Sequence, residues 1–143
     1  MEKLTKTAEA VLLERFGKDS IIGLATAADN VPYVRNVDAF YEDGAFYVLT
    51  YALSNKMKQI EANPTVAISG FWFTAHGKGR NLGYFGKDEN KDIADKMRRI
   101  FAEWIDNGHN NFDDENTCIL QIKLTQGVLL TPEGRFEIDF SKR

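Results

Sequence analysis

The stretch SIIGLATAADNVPYVRNVDAFYEDGAFYVLTY, residues 20–51, decides the fold. Its β-branched and aromatic residues predict strands, and the residues between them favour tight turns. In order, the predicted strands and turns are Ser20–Ala28, Asp29-Asn30, Val31–Tyr41, Asp43-Gly44 and Ala45–Tyr51. Two-residue turns of this composition join antiparallel neighbours, so the stretch predicts an antiparallel meander.

On either side of the meander the apolar residues take up helical spacing. Before it, an amphipathic helix ending at Gly17 is predicted by Leu4, Ala8, Val11, Leu12 and Phe16. After it, Ser54 can cap a short helix that carries Met57 and Ile60 inward. Asn63-Pro64 ends this second helix, because the residue before a proline avoids helical backbone angles.

The second half of the chain predicts more strands and a third helix. The predicted strands are Val66–Phe73, Asn81–Phe85, Thr117–Leu130 and a tail through Phe136, Ile138 and Phe140. Residues 74–80 contain Gly77 and Gly79, which predict a loop. The helix should begin at Asp88 as N-cap and end at Gly108, with an apolar face of Ile93, Met97, Ile100, Phe101 and Trp104.

This inventory predicts a mainly β (α+β) fold, an antiparallel barrel of six or seven strands with peripheral helices. Strands joined by hairpins need closure or a partner to hide their edges, and no βαβ rhythm is present. With 43% hydrophobic residues the 143-residue chain can bury one sizeable core, so we expect residues 1–143 to form a single domain. We also expect a homodimer, because the helix bearing Met97, Phe101 and Trp104 carries more apolar surface than a short helix needs.

Charge and cysteine content exclude several classes of protein. Eighteen Lys and Arg against 21 Asp and Glu give a formal net charge of -3, which argues against a nucleic-acid binder. Cys118 is the only cysteine, so no intramolecular disulfide is possible. Residues 1–17 lack a signal-peptide core, and no apolar run has membrane-spanning length. We therefore expect a cytoplasmic protein without a membrane segment.

Catalytic and metal-binding motifs are missing from the sequence. His76 and His109 lie far apart, and neither has a partner at metal-ligand spacing, so no metal is expected. No nucleophile elbow or phosphate-binding glycine loop is present, and no catalytic residue is assigned. We expect His76 to be a hydrogen-bonding loop residue and not an acid or base.

Polar residues in the meander predict an anion site instead. Arg35, Asn36 and Asp38 interrupt an otherwise apolar strand, and Thr50, Ser54, Asn55 and Lys56 follow two hairpin steps later. An arginine fork, a hydroxyl at a helix start and a lysine in the first helical turn together suit a phosphate monoester. The alternative is structural: Arg35 would point outward, Ser54 would only cap its helix, and Lys56 would be a surface lysine.

The order of these residues resembles the flavin-binding split-barrel family that includes pyridoxamine 5'-phosphate oxidase and the general stress proteins. The resemblance is carried by Gly23–Thr26, Pro32–Val37, Asp43–Thr50, Ser54–Ile60 and Asn63–Ala67. Further along, residues 73–79 and 116–120 are similar to the short general stress branch. The oxidases also carry a C-terminal extension that grips pyridoxal phosphate, whereas this sequence ends at Arg143, so we expect a member other than a true oxidase.

The resemblance implies a flavin mononucleotide (FMN) cofactor at the interface of a homodimer. Its phosphate would be held by Arg35, Ser54 and Lys56, with Asn55 in the same helix start, and its ring by Asn36, Val37, Asp38, Leu49 and Thr50. The implied activity is that of an oxidoreductase in which a small-molecule donor reduces the flavin, and the flavin reduces an acceptor. Two alternatives stay open: a non-catalytic flavin-binding stress protein, and a haem-handling split barrel in which His76 or His109 would ligate iron.

Overall fold

The computed structural model describes residues 1–142. The strands are β1 (Glu2–Lys3), β2 (Ser20–Ala28), β3 (Val31–Glu42), β4 (Ala45–Tyr51), β5 (Thr65–Gly70), β6 (Phe73–Tyr84), β7 (Thr117–Thr131) and β8 (Gly134–Asp139). The helices are α1 (Lys6–Phe16), α2 (Asn55–Ala62) and α3 (Lys91–Ile100), and a 3-10 turn (Asp88–Asn90) precedes α3. No helix within residues 1–142 combines the length and the apolar character needed to cross a membrane.

The predicted meander is confirmed as β2, β3 and β4. Asp29 and Asn30 have φ angles of 52° and 64°, and Asp43 and Gly44 have φ angles of 47° and 79°. Positive φ at both central residues defines the type I′ turn, whose twist matches that of the flanking strands. These turns set the register, in which Ala28 pairs with Val31 and Glu42 pairs with Ala45.

Six strands close into an antiparallel barrel, which confirms the predicted fold. Around the barrel the order is β7-β4-β3-β2-β5-β6, and pairing between β6 and β7 closes it. Strand β8 adds to β7 outside the barrel, and β1 pairs with β8 in parallel. The two-residue β1, which has no periodic sequence signal, brings the total to eight strands where six or seven were predicted.

The barrel is split between β3 and β4. Their ladder contains only the pairs Phe40↔Tyr47, Tyr41↔Phe46 and Glu42↔Ala45. Beyond these pairs β3 remains hydrogen-bonded to β2, whereas β4 remains hydrogen-bonded to β7 as far as Tyr51. The two strands therefore part at Ala39, and their facing edges form the two sides of a cleft.

Apolar residues fill the barrel and also the space between its outer surface and α3. The inner core includes Leu24, Tyr41, Val48 and Leu120, and the outer core joins Phe40 and Ile119 on the strands to Met97 and Phe101. Met97 and Phe101 are fully buried within one chain. Met97 and Phe101 therefore give no support to the homodimer expected from this helix, since strands of the same chain cover them, whereas Trp104 is only partly buried.

The predicted loop at residues 74–80 is wrong, because Phe73–Tyr84 is one continuous strand. The strand Val66–Phe73 is also corrected, since β5 ends at Gly70 and the chain turns at Phe71-Trp72 before β6 begins. The inward positions of β6 include Gly77 and Gly79. A Cβ on Gly77 would lie 2.8 Å from the Lys123 carbonyl oxygen, and one on Gly79 would lie 2.8 Å from Ile60. The glycines permit close packing inside a strand and do not mark a loop.

The third helix is shorter than predicted. It begins at Lys91 and not after Asp88, because Asn90 is buried and its side chain donates to the carbonyls of Leu82 and Tyr84. It ends at Ile100, and the chain then continues in turns as far as Gly108, whose φ is 92°.

Candidate functional site

Arg35 is held on the inner side of the barrel wall by neutral oxygen atoms. Along β3 it points to the same face as Val37 and Ala39, which contact the inner core. Its Nη1 donates to the Leu24 carbonyl at 3.2 Å and to Thr26 Oγ1 at 2.8 Å, and its Nη2 donates to Gln59 Oε1 at 3.2 Å. The structural alternative for Arg35, an outward surface charge, is therefore wrong. Burial lowers the pKa of the Arg35 guanidinium.

Lys56 brings a second positive charge to the same place. It lies half-buried in the first turn of α2. Burial lowers the pKa of Lys56, and the positive charge of Arg35 lowers it further. Below it on β7, burial raises the pKa of the Cys118 thiol to about 11. Neither Arg35 nor Lys56 forms an ion pair with any carboxylate of residues 1–142, so two repelling cations share the site without a counter-charge.

Ser54, two residues before Lys56, supplies an unpaired polar atom at the start of α2. It is the N-cap residue of α2, but its side chain makes no capping hydrogen bond. Its Oγ is buried and has no hydrogen-bond partner among the described residues. The expectation that the Ser54 hydroxyl caps the helix is therefore wrong. A buried hydroxyl without a partner costs roughly 1–3 kcal/mol, which a ligand acceptor or donor would recover.

The remaining predicted residues line the two edges of the split. If the β3–β4 register continued past Phe40↔Tyr47, Asp38 would face Leu49 and Val37 would face Thr50. Val37 and Thr50 lie on the inner side of the wall, whereas Asn36, Asp38 and Leu49 lie on the outer side. Asn55, the first residue of α2, is exposed. The fold thus gathers the predicted residues around one cleft and distributes them over both faces of the sheet.

Three residues that touch the predicted set were missed by sequence reasoning. Thr26 and Gln59 hold Arg35, and the Thr26 hydroxyl donates to Gln59 Oε1 at 2.5 Å. Asp19 lies beside Asp38: burial raises the pKa of Asp38, and the charge and hydrogen bond of Asp19 raise it further. A threonine among the apolar residues of β2 was the only available signal for Thr26, which is 2% exposed. Gln59 and Asp19 had no sequence signal, because the residues they contact, Arg35 and Asp38, lie in distant segments of the chain.

The two histidines lie outside this arrangement. His76 is exposed on the outer face of β6, and His109 is exposed in the segment after α3. Within residues 1–142 no three His, Cys, Asp or Glu side chains are grouped so that they could hold a metal ion. His76 therefore belongs to a strand and not to the loop in which it was predicted.

Comparison with known proteins identifies one family and several similar folds. The family model described as pyridoxamine 5'-phosphate oxidase matches residues 8–130. General stress protein 26 from Bacillus anthracis is 17% identical with a TM-score of 0.61, covering 83% of this chain and 90% of that one. An FMN-binding, pyridoxamine 5'-phosphate oxidase-related protein from Nostoc punctiforme is 20% identical with a TM-score of 0.58, covering 92% and 87%.

A FAD-binding protein from Mesorhizobium loti is 20% identical with a TM-score of 0.63, covering 87% of this chain and 92% of that one. The search of curated proteins found no match. At these identities the similarity to solved structures establishes the fold.

Proposed function

Because the chain belongs to the pyridoxamine 5'-phosphate oxidase family, we propose that it binds FMN in the split between β3 and β4 and acts as a flavin-dependent oxidoreductase. The proposal is supported by the FMN-binding and FAD-binding proteins among its structural neighbours. A bound flavin would supply the hydride or electron transfer, so the absence of an assigned acid, base or nucleophile is no objection.

One observation carries the proposal: within residues 1–142, two neighbouring cations have no carboxylate counter-charge, and the buried hydroxyl of the N-cap residue two positions before Lys56 has no partner. Arg35 and Lys56 repel each other in the free chain, and Ser54 Oγ has no hydrogen bond. A phosphate dianion would neutralise both charges and could hydrogen-bond to the hydroxyl. We propose that these three residues hold the flavin phosphate, with Asn55 beside them at the start of α2.

The flavin ring would lie along the split. The facing edges of β3 and β4 leave their ladder beyond Phe40 and Tyr47, so backbone groups there are free to bind a planar polar ring. On this proposal Asn36, Val37 and Asp38 line one edge, and Leu49 and Thr50 line the other. The residues would position the ring and limit its contact with water.

We propose a homodimer whose interface is the outer face of β2, β3 and β5. This face carries Val34 at 75% exposure and Ile21 at 67%, and the adjoining turn carries Phe71 at 66%. Between them Ala25 pairs with both Val34 and Ala67, so the middle of this face is made of small or apolar residues. Exposed apolar surface that runs up to a cofactor cleft fits a second copy of the chain.

The interface is tested by Val34→Lys. Because the Val34 side chain is mostly exposed, the single chain should stay folded while a buried lysine at the interface opposes association. Sedimentation should give a dimer for the parent and a monomer for the variant. A parent that sediments as a monomer at all concentrations would overturn the dimer.

The flavin itself is tested by the absorbance spectrum of the purified protein, after reconstitution with FMN where needed. Bands of bound oxidised flavin are expected, and a Soret band with no flavin uptake would refute the proposal. Stopped-flow mixing with reduced nicotinamides then tests catalysis. Saturable, donor-specific reduction supports an oxidoreductase, whereas slow reduction without saturation would favour a flavin-binding protein without that activity.

A further inference from the structure

The hydrogen bonds of Arg35 determine which edge of its guanidinium can bind a ligand. A guanidinium has five N–H donors. Nη1 uses its two on the Leu24 carbonyl and Thr26 Oγ1, and Nη2 uses one on Gln59 Oε1. Thr26 Oγ1 and Gln59 Oε1 are 2.5 Å apart, so together they occupy the end of the guanidinium between Nη1 and Nη2. The side edge, with Nε–H and the second Nη2 hydrogen, is left for a bidentate acceptor.

All three oxygens that hold Arg35 are uncharged. They belong to a peptide carbonyl, a hydroxyl and a side-chain amide. A glutamate in place of Gln59 would have the same length and could accept the same bond, but it would neutralise the arginine. With glutamine at this position, the charge of Arg35 is not neutralised, and it lies close enough to Lys56 to lower the pKa of that lysine.

We propose that Gln59 is a positioning residue that makes the site selective for a doubly charged terminal phosphate, and therefore for FMN over FAD. The inference rests on the proposed function and specifies the ligand of that site. A phosphate monoester carries close to two negative charges above its second pKa of about 6. FAD has no terminal phosphate: each phosphorus of its pyrophosphate has one ester bond, one anhydride bond and a single charge, so two cations that converge on one phosphate favour the monoester.

The test compares three ligands that share the flavin ring and differ in charge. FMN carries two negative charges at pH 7.5, riboflavin 4',5'-cyclic phosphate carries one, and riboflavin carries none. Dissociation constants for the three ligands are measured by fluorescence titration on the parent and on Gln59→Glu. The matched control is Gln126→Glu, which adds the same charge at an exposed position of β7.

The expected losses follow from Coulomb's law. One added charge about 6 Å from the phosphate, at an effective dielectric constant of about 40, weakens a singly charged ligand about tenfold and a doubly charged one about a hundredfold. Riboflavin should change by less than about twofold, and Gln126→Glu should leave all three affinities nearly unchanged. A role in packing alone would weaken all three flavins together.

Gln59→Ala separates charge from positioning. It removes the acceptor and keeps both cations, so it should weaken FMN and the cyclic phosphate by the same small factor. Equal losses for the two phosphates in Gln59→Glu, or a loss no larger than in Gln126→Glu, would overturn the selectivity while leaving flavin binding intact. A parent that binds riboflavin as tightly as FMN would instead refute the phosphate site of the proposed function.

Discussion

Replacing Lys56 by methionine should weaken FMN binding and at the same time stabilise the free protein. A charge-assisted contact to phosphate contributes roughly 1.5–3 kcal/mol, so FMN should bind about 10- to 100-fold more weakly. Burial and the Arg35 charge both lower the pKa of Lys56, which means that its charge is unfavourable in the free fold. Methionine keeps an unbranched apolar stem of similar length and removes that charge. Because Lys56 is only half-buried and solvent screens it, the gain should stay below about 1 kcal/mol, or roughly 3 °C in Tm.

Calorimetry measures both effects on one sample: thermal unfolding without ligand, and titration with FMN and with riboflavin. Lys58→Met is the matched control, since Lys58 is exposed on the same helix and is not part of the site. It should change FMN affinity by less than about twofold. If Lys56→Met lowers the Tm of the free protein and weakens riboflavin as much as FMN, the lysine stabilises the fold and does not bind phosphate.

Three further predictions address protonation, packing and His76. Because burial and Arg35 lower the pKa of Lys56 and a bound dianion raises it, FMN binding should take up protons and weaken as pH rises above the lowered pKa. Between the lowered pKa and 10.5, the free protein gains stability as pH rises, because Lys56 loses its proton in the folded chain before it does in the unfolded chain. Titrations in buffers of different ionisation enthalpy measure the proton uptake, which Lys56→Met should abolish. Gly77→Val should cost about 1–3 kcal/mol in urea unfolding, because its Cβ would lie 2.8 Å from the Lys123 carbonyl oxygen, and an unchanged midpoint would contradict this. His76→Gln should leave flavin binding and reduction within about twofold, since His76 is exposed on the outer face of β6, whereas a tenfold loss of reduction would assign it a catalytic role.

Local sequence signals predicted the half of the barrel that local interactions determine. The Asp29-Asn30 and Asp43-Gly44 turns need positive φ, which these residue types tolerate, and the strands between them follow. Residues 74–80 of β6 were predicted as a loop because the signal that makes them a strand is long-range, whereas Asn81–Tyr84 fall in a predicted strand. Gly77 and Gly79 resemble loop residues until Lys123 and Ile60 are seen packed against them.

The candidate site was predictable where it depends on charged side chains and not where it depends on strand geometry. An arginine in a strand and a lysine at a helix start identify an anion site by residue type. The split between β3 and β4 has no such signal, because it arises where the register ends at Phe40↔Tyr47. The role of Gln59 could not be predicted from the sequence either, because its side-chain amide contacts Arg35 only in the folded chain.

The energetics of the free chain indicate a site independently of any motif. Arg35 and Lys56 repel each other, and the buried Ser54 hydroxyl is unpaired. Both features lower the free energy of unfolding of the ligand-free chain. Local conflicts of this kind concentrate at functional sites, where a ligand resolves them. A ligand at about a hundred times its Kd stabilises a protein by about 2.7 kcal/mol, which is comparable to the cost of one unpaired buried polar group. The proposed phosphate-bearing ligand would therefore offset a conflict of this size, since it would supply both the missing charge and the missing hydrogen-bond partner.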